Sequence, residues 1–199
     1  PGLHVHGAHF VEDACQRGAS AVLTDPEGAR IVASTGVNNI PLLVVDDIRA
    51  VLGRVSAAIY GNPSYDVPVI GITGTSGKTT TSYLIESAFR TAGHSVGMIG
   101  TTGSRINGVR VPSSLTTPEA PDLQRLFATM RDDGVHRIVM EVSSHSLLLG
   151  RVGGTRFRIG AFLNLSQDHL DFHHTMEEYF QAKACLLYTS DAADEEDSV

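Results

Sequence analysis

The run Gly74-Thr75-Ser76-Gly77-Lys78-Thr79 stands between an apolar stretch, Val69-Ile70-Gly71-Ile72-Thr73, and a helical pattern over 78–92, and it constrains this chain more than any other feature. A strand that passes through a glycine-rich turn directly into a helix is the local context of a phosphate-binding loop. The glycines let backbone amides turn inward, the helix N-terminus adds positive potential, and Lys78 reaches the outer phosphates of a nucleotide. The Thr79 hydroxyl is placed to help hold magnesium. One position departs from the general pattern, since the leading glycine expected at 72 is Ile72.

Beyond this loop the chain alternates between strand and helix. Strands are predicted over 69–73, 96–99, 137–141 and 159–163, with helices over 78–92 and 122–131, which implies an α/β fold with a mostly parallel sheet covered on both faces. Residues 1–60 read as a smaller α/β unit whose opening strand is missing. It has short buried strands over 21–24 and 42–45 and a helix over 48–60 capped by Asp46 or Asp47. The breaker cluster Gly61-Asn62-Pro63-Ser64 places a domain boundary within 61–67. The expected organisation is therefore a small N-terminal α/β domain over 1–66 and an incomplete phosphate-loop ATPase domain over 67–184.

Composition narrows the function classes. With 42% hydrophobic and 19% charged residues in 199, the chain reads as globular, and no apolar run is long enough for a membrane span. Two cysteines, Cys15 and Cys185, match a reducing compartment, so a cytoplasmic location is expected. Of the net charge of −7, five negative charges sit at Asp191, Asp194, Glu195, Glu196 and Asp197, and no basic cluster suits a nucleic acid. Residues 185–199 break the pattern before them. Their back-translation resembles a transposon-derived sequencing adapter, and they are expected to be read-through rather than evolved protein.

In a parallel sheet, ligands bind beyond the carboxyl ends of the strands. Three groups of polar residues fall there: the 74–79 loop, Glu141 with Ser143, and Asn164 with Asp168 and His169. A carboxylate such as Glu141, facing a phosphate loop on a neighbouring strand, can hold magnesium, or it can be a salt-bridged or capping residue. The spacing of His169, His173 and His174 fits no closed zinc site, and His169 is the one kept as a candidate while at least two of the three are read as surface or capping residues. Lys183 shares a helical face with Tyr179 and Phe180. Either it snorkels outward, or its neutral amine takes up carbon dioxide to form a carbamate that can bind magnesium. His4, His6 and His9 are read as surface histidines.

Taken together, Leu115-Thr116-Thr117-Pro118, Glu141-Val142-Ser143-Ser144-His145-Ser146-Leu147, Asn164-Leu165-Ser166-Gln167-Asp168-His169-Leu170-Asp171 and Tyr179-Phe180-Gln181-Ala182-Lys183 resemble the Mur ligases, which build the peptide stem of the bacterial cell wall. The phosphate loop alone would also suit folylpolyglutamate or cyanophycin synthetases. The resemblance covers residues 1 to about 184. It is sharpest to the member that adds a diamino acid, meso-diaminopimelate or L-lysine, to UDP-N-acetylmuramoyl-L-alanyl-D-glutamate through an acyl phosphate.

The resemblance implies that Gly74, Thr75, Ser76, Gly77, Lys78, Thr79 and Thr80 hold ATP, and that Thr116, Thr117, Ser143 and Arg151 hold the UDP-linked substrate. It also implies a magnesium set of Thr79, Glu141, His169 and carbamylated Lys183, with Lys78, Glu141, His169 and Lys183 in the catalysis. Residues 1–66 would bind the UDP moiety. Some members carry Gln where this chain has Leu149, so that contact is not expected. A monomer is implied, and the C-terminal domain that binds the amino acid is expected to lie outside these residues, leaving the fragment with little or no activity. The alternatives are another Mur-like ligase, a phosphate-loop switch, and a nucleotide-binding module without ligase activity. Against a switch, no apolar strand ends in the Asp of an Asp-x-x-Gly motif.

Overall fold

The computed structural model describes residues 5–111 and 116–188. His4, Leu115 and positions 189–199 of the expected read-through tail lie outside the described residues. The chain divides into two compact units, Pro1–Val51 and Leu52–Val199.

In the first unit a 3-10 turn, Gly7–Phe10, leads into α1 (Val11–Gln16), followed by β1 (Val22–Thr24), α2 (Pro26–Thr35) and β2 (Leu42–Val44). α2 has defined ends: the Asp25 side chain accepts from the Gly28 amide at 2.7 Å, Pro26 opens the first turn, and Gly36 closes the helix at φ 81°. Ala8, Val11 and Val32 form the core. β1 and β2 pair in parallel, but β2 is not the buried strand that its apolar run predicts, and Leu43 is 60% exposed. Only one neighbouring strand exists for it among the described residues, so its outer edge has no partner.

α3 (Ile48–Ile59) carries the junction. The units divide at Val51/Leu52, inside this helix, whereas the sequence reading places the boundary at 61–67. Packing explains the shift. Gly53 lies directly on the backbone of Gly153, and a Cβ at Gly154 would come within 3.0 Å of Ala57, so the second half of α3 folds with the larger unit. α4 (Pro63–Asp66) is bound to it as well, through Ser64 Oγ accepting from the Arg156 amide at 3.0 Å.

The larger unit is built on a sheet of order β6-β5-β4-β7-β3-β8. Its strands are β3 (Val69–Thr73), β4 (Val96–Gly100), β5 (Gly103–Ile106), β6 (Val109–Val111), β7 (Arg137–Glu141) and β8 (Phe157–Phe162). β4, β7, β3 and β8 run parallel, while β5 and β6 form an antiparallel hairpin at one edge. The hairpin was not foreseen, although its turn residues Asn107 and Gly108, at φ 52° and 84°, form the dipeptide that favours a tight reverse turn between strands. β8 starts two residues earlier than expected and is only partly buried, with Phe157 as its fully buried residue.

α5 (Lys78–Thr91) covers one face of the sheet, where Ile70, Ile72, Val96 and Val139 meet Ile85 and Phe89. On the other face α6 (Ala120–Asp132) contributes Leu123, Phe127 and Met130 to a core with Val69, Ile99, Ile138, Met140 and Phe157. Central strands buried on both faces read as continuous apolar runs, which is why β3 and β7 were legible. Short helices α7 (Ser144–Leu148) and α8 (Leu170–His173) follow β7 and β8, and α9 (Met176–Tyr188) completes the unit. α9 passes the expected end of the fold at 184: Leu186 is fully buried in the core, so residues 185–188 fold with the unit.

Gly71 lets α9 and β8 close over β3. A Cβ there would come within 2.7 Å of the Phe157 ring and 3.0 Å of Leu186. Neither group can withdraw without opening the core, so Gly71→Ala is expected to lower stability by about 1–3 kcal/mol. Urea unfolding followed by circular dichroism measures it, and a midpoint equal to that of the wild type would contradict this packing.

Candidate active site

The end of β3 turns into the 74–79 loop, and the end of the adjacent strand β7 delivers Glu141, its residue partner across the ladder being Ile72. Glu141 is fully buried, yet it is not bare. Its carboxylate accepts from the Thr79 hydroxyl at 3.0 Å, the Thr101 amide at 3.1 Å and the Thr101 hydroxyl at 3.0 Å. A buried carboxylate needs such donors to offset its desolvation. Gly100 makes room for it, since a Cβ there would strike the carboxylate. Sequence reasoning found Glu141 and Thr79 but missed Thr101, whose sole signal is its place just after a strand.

Two lysines converge on the first residue of the loop. Lys78 Nζ donates to the carbonyls of Gly74 at 2.6 Å and Thr75 at 3.1 Å, and Lys183 Nζ donates to the same Gly74 carbonyl at 3.0 Å. Lys183 does not snorkel: it is 1% exposed, with its ammonium 4.5 Å from the centre of the Tyr179 ring. Burial and the nearby Lys78 push its pKa down to about 8, against an opposing pull from Asp168. Burial also lowers the pKa of Lys78, while Glu141 and Asp168 raise it. Tyr179 shares the buried face with Lys183, but Phe180 stands partly exposed beside Phe162.

His169 is in a left-handed conformation, φ 52°, with an exposed side chain 3.5 Å from Asp168. It belongs to an aromatic group, its ring 4.9 Å from that of His145, which stacks on Phe172 at 4.1 Å. His174 is exposed, as is His169, but His173 is not a surface group. It is buried, with Nε2 2.9 Å from Ser144 Oγ. Burial, and then the neighbouring His169, lowers the pKa of both His145 and His173. His145 was visible only as the residue after two serines, and nothing in its spacing announces the cluster. His6 is likewise no surface group, being bonded to Asp25 at 3.0 Å beside a cavity of about 300 Å3 in the first unit.

The structure thus joins Thr79 to Glu141, and Lys78 to Lys183, while His169 lies in its own ring cluster. Thr75, Ser76 and Gly77 complete the loop, and Thr80 is exposed in the first turn of α5. Among the described residues no group of three or more His, Cys, Asp and Glu could hold a metal ion. The remaining candidates have partners within the protein. The Thr117 hydroxyl donates to the Glu141 carbonyl at 3.0 Å, Ser143 Oγ caps α7 by accepting from the Ser146 amide at 3.1 Å, and Arg151 pairs with Glu119 at 2.7 Å. Thr116 is half-buried beside them.

Residues 72–194 match the Mur ligase middle domain. A UDP-N-acetylmuramoyl-L-alanyl-D-glutamate--2,6-diaminopimelate ligase of Corynebacterium glutamicum is 58% identical over 192 residues, covering 96% of this chain and 37% of that protein. The ligase of the same name from Streptomyces avermitilis is 57% identical over 187 residues, 94% of this chain and 36% of its own length. A solved structure of a UDP-N-acetylmuramoyl-L-alanyl-D-glutamate--2,6-diaminopimelate ligase superposes with a TM-score of 0.72 at 30% identity, over 94% of this chain and 39% of that one. The MurF ligase of Thermotoga maritima, solved with ADP, shares the fold at 22% identity and a TM-score of 0.60, covering 96% of this chain and 39% of its own. The chain therefore spans little more than a third of the length of the relatives it matches.

The depressed pKa of Lys183 has a thermodynamic consequence. In the unfolded chain the amine returns to its ordinary 10.5, so between about 8 and 10.5 the unfolded state binds more protons than the folded one. The contribution of Lys183 to stability therefore rises with pH across that window, from its most unfavourable value below it. Urea unfolding of the wild type and Lys183→Met at pH 7.5 and 9.5 should show the wild type gaining on the variant. An unchanged or reversed difference would contradict the buried ammonium.

Proposed function

Because this chain belongs to the Mur ligase family, we propose that it is part of an ATP-dependent amide ligase that adds meso-diaminopimelate to UDP-N-acetylmuramoyl-L-alanyl-D-glutamate during peptidoglycan precursor synthesis. The observation that carries this reading is the hydroxyl of the phosphate loop, Thr79, bonded at 3.0 Å to the buried carboxylate of Glu141. The names of relatives at 57–58% identity support diaminopimelate over lysine as the incoming diamine.

In this reading ATP lies along residues 74–80. The first-turn amides of α5 have no acceptor within the helix and face the phosphates, as helix N-termini do for anions. Lys78 exchanges the carbonyls of Gly74 and Thr75 for the outer phosphates. The side-chain carboxylate of the D-glutamyl residue attacks the γ-phosphorus, and the bond to the β-phosphate oxygen breaks. The amine of the diamino acid then attacks the acyl carbon, loses a proton and expels phosphate. Both steps bring anions together or leave charge on oxygen, so the positive field of Lys78 and the helix end stabilises the transition states more than the ground states.

Thr79 and Glu141 offer the oxygen donors that a magnesium ion takes, with His169 and Lys183 as further members of the set. When bound, the ion supplies charge neutralisation between the phosphates and the attacking carboxylate. Lys183 suits this role only as a carbamate, because an ammonium would repel the cation. Its burial beside Lys78 favours the neutral amine that carbon dioxide requires. Thr116, Thr117, Ser143 and Arg151 are assigned to the UDP-linked substrate, and the reaction is placed in the cytoplasm, where ATP is available.

The 199 residues alone should bind ATP with magnesium yet release little or no phosphate. A chain extended to the length of its relatives should release phosphate from ATP in the presence of UDP-N-acetylmuramoyl-L-alanyl-D-glutamate and diaminopimelate, and Lys78→Ala should reduce that rate at least about a hundredfold. Turnover that depends on a different nucleotide-linked substrate, or full turnover with Lys78→Ala, would contradict the proposal.

A further inference from the structure

The loop that follows β8 grips the phosphate loop through a set of hydrogen bonds that substrate binding does not explain. The Asn164 side chain closes a two-bond ring with the backbone of one residue: Oδ1 accepts from the Ser76 amide at 3.0 Å and Nδ2 donates to the Ser76 carbonyl at 3.1 Å. The Asn164 carbonyl accepts from the Thr75 amide at 3.1 Å. The Thr75 hydroxyl accepts from the Ser166 amide at 3.0 Å and donates to the Ser166 carbonyl at 3.2 Å, which leaves the Tyr179 hydroxyl, 3.2 Å away, to donate to it. Gly74 permits this approach, since its φ is 151° and a Cβ there would come within 3.1 Å of Leu163 and 3.4 Å of the Asn164 amide.

These contacts divide the loop into two halves. The amides of Thr75 and Ser76 are spent on the post-β8 loop and do not face an anion. The amides of Lys78, Thr79 and Thr80, at the start of α5, have no helical acceptor and remain for phosphate. Glycine-rich loops are costly to order, and a loop that is ordered before the ligand arrives binds it more tightly.

We propose that Asn164 is a positioning residue for the nucleotide, holding Ser76 through both of its backbone polar groups so that residues 78–80 present their amides in a fixed array, with Tyr179 anchoring the same strap through Thr75. This rests on the reading of residues 74–80 as a phosphate site. Asn164 itself touches no phosphate. Its effect passes through the Ser76 peptide.

Titration calorimetry of the 199-residue chain with ADP and with inorganic pyrophosphate tests this together with amide exchange by NMR. Asn164→Ala should weaken both probes by about tenfold, and Tyr179→Phe, which keeps the ring beside Lys183, should weaken them by a smaller factor. In the ligand-free wild type the Ser76 amide should exchange slowly. Asn164→Asp, which keeps the acceptor, should preserve that protection, and Asn164→Ala should abolish it while the Thr81 amide inside α5 stays protected. A freely exchanging Ser76 amide in the wild type overturns the strap even if the alanine variant fails to fold, as does equal affinity of wild type and Asn164→Ala for both probes. A wild type that binds neither probe while Ser76 stays protected overturns the nucleotide reading, and with it the role of Asn164.

Discussion

Two ammonium groups, those of Lys78 and Lys183, meet at one backbone oxygen, the carbonyl of Gly74. Like charges do not gather inside a protein without a reason, because each loses hydration and each disfavours the other. Here the charge is concentrated where the loop turns from β3 into α5, so that the helix end adds to it. The counter-charges are Asp168, which acts on both lysines, and Glu141, which acts on Lys78 and is fully buried and held by Thr79 and Thr101. The fold supplies each partner from a different element: Lys78 from α5, Glu141 from the neighbouring parallel strand, and Lys183 from a helix that packs Leu186 under β3 and β8. The apolar centres of β3 and β7 are therefore a requirement of this arrangement, since both strands must be covered on both faces for their ends to lie side by side.

Much of this was legible before any coordinates. β3 and β7 follow from short apolar runs between polar ends and α5 from the helical pattern after the glycine-rich loop, and Lys78, Thr79 and Glu141 stand out as residue types suited to phosphate chemistry at strand ends. What escaped was determined by burial that periodicity does not encode. The His145–Phe172 stack joins residues from α7 and α8 that are far apart in sequence. His173 looks like one member of a polar run and is buried against Ser144. The boundary fell inside α3 because small residues at 53, 57, 153 and 154 allow backbone to meet backbone, a signal that a breaker cluster at 61–64 outweighs when only the sequence is read. The β5–β6 hairpin is not announced despite its Asn-Gly turn, because its strands, Gly103–Ile106 and Val109–Val111, are short and carry no apolar run.

Asn164 shows the same limit from the other side. The sequence drew attention to its segment for metal-capable side chains, yet the structural work there is done by an amide that closes a ring with the Ser76 peptide. Such a contact depends on the register between β3 and β8, with Thr73 opposite Phe162, and that register is a property of the folded sheet. Asp168, His169, Asp171 and His174 of the segment remain at its exposed rim, where His169 stands beside Asp168.

In the proposed function, Glu141 and the phosphate loop together form the wall of a nucleotide site that admits a divalent cation. Manganese(II) in place of magnesium gives a paramagnetic signal that changes when the ion is immobilised, and Glu141→Gln keeps the shape of the side chain while removing its charge. With ADP present, the wild type is expected to immobilise manganese at a concentration where Glu141→Gln leaves it free, with ADP still bound. Equal immobilisation by the two proteins would contradict the account.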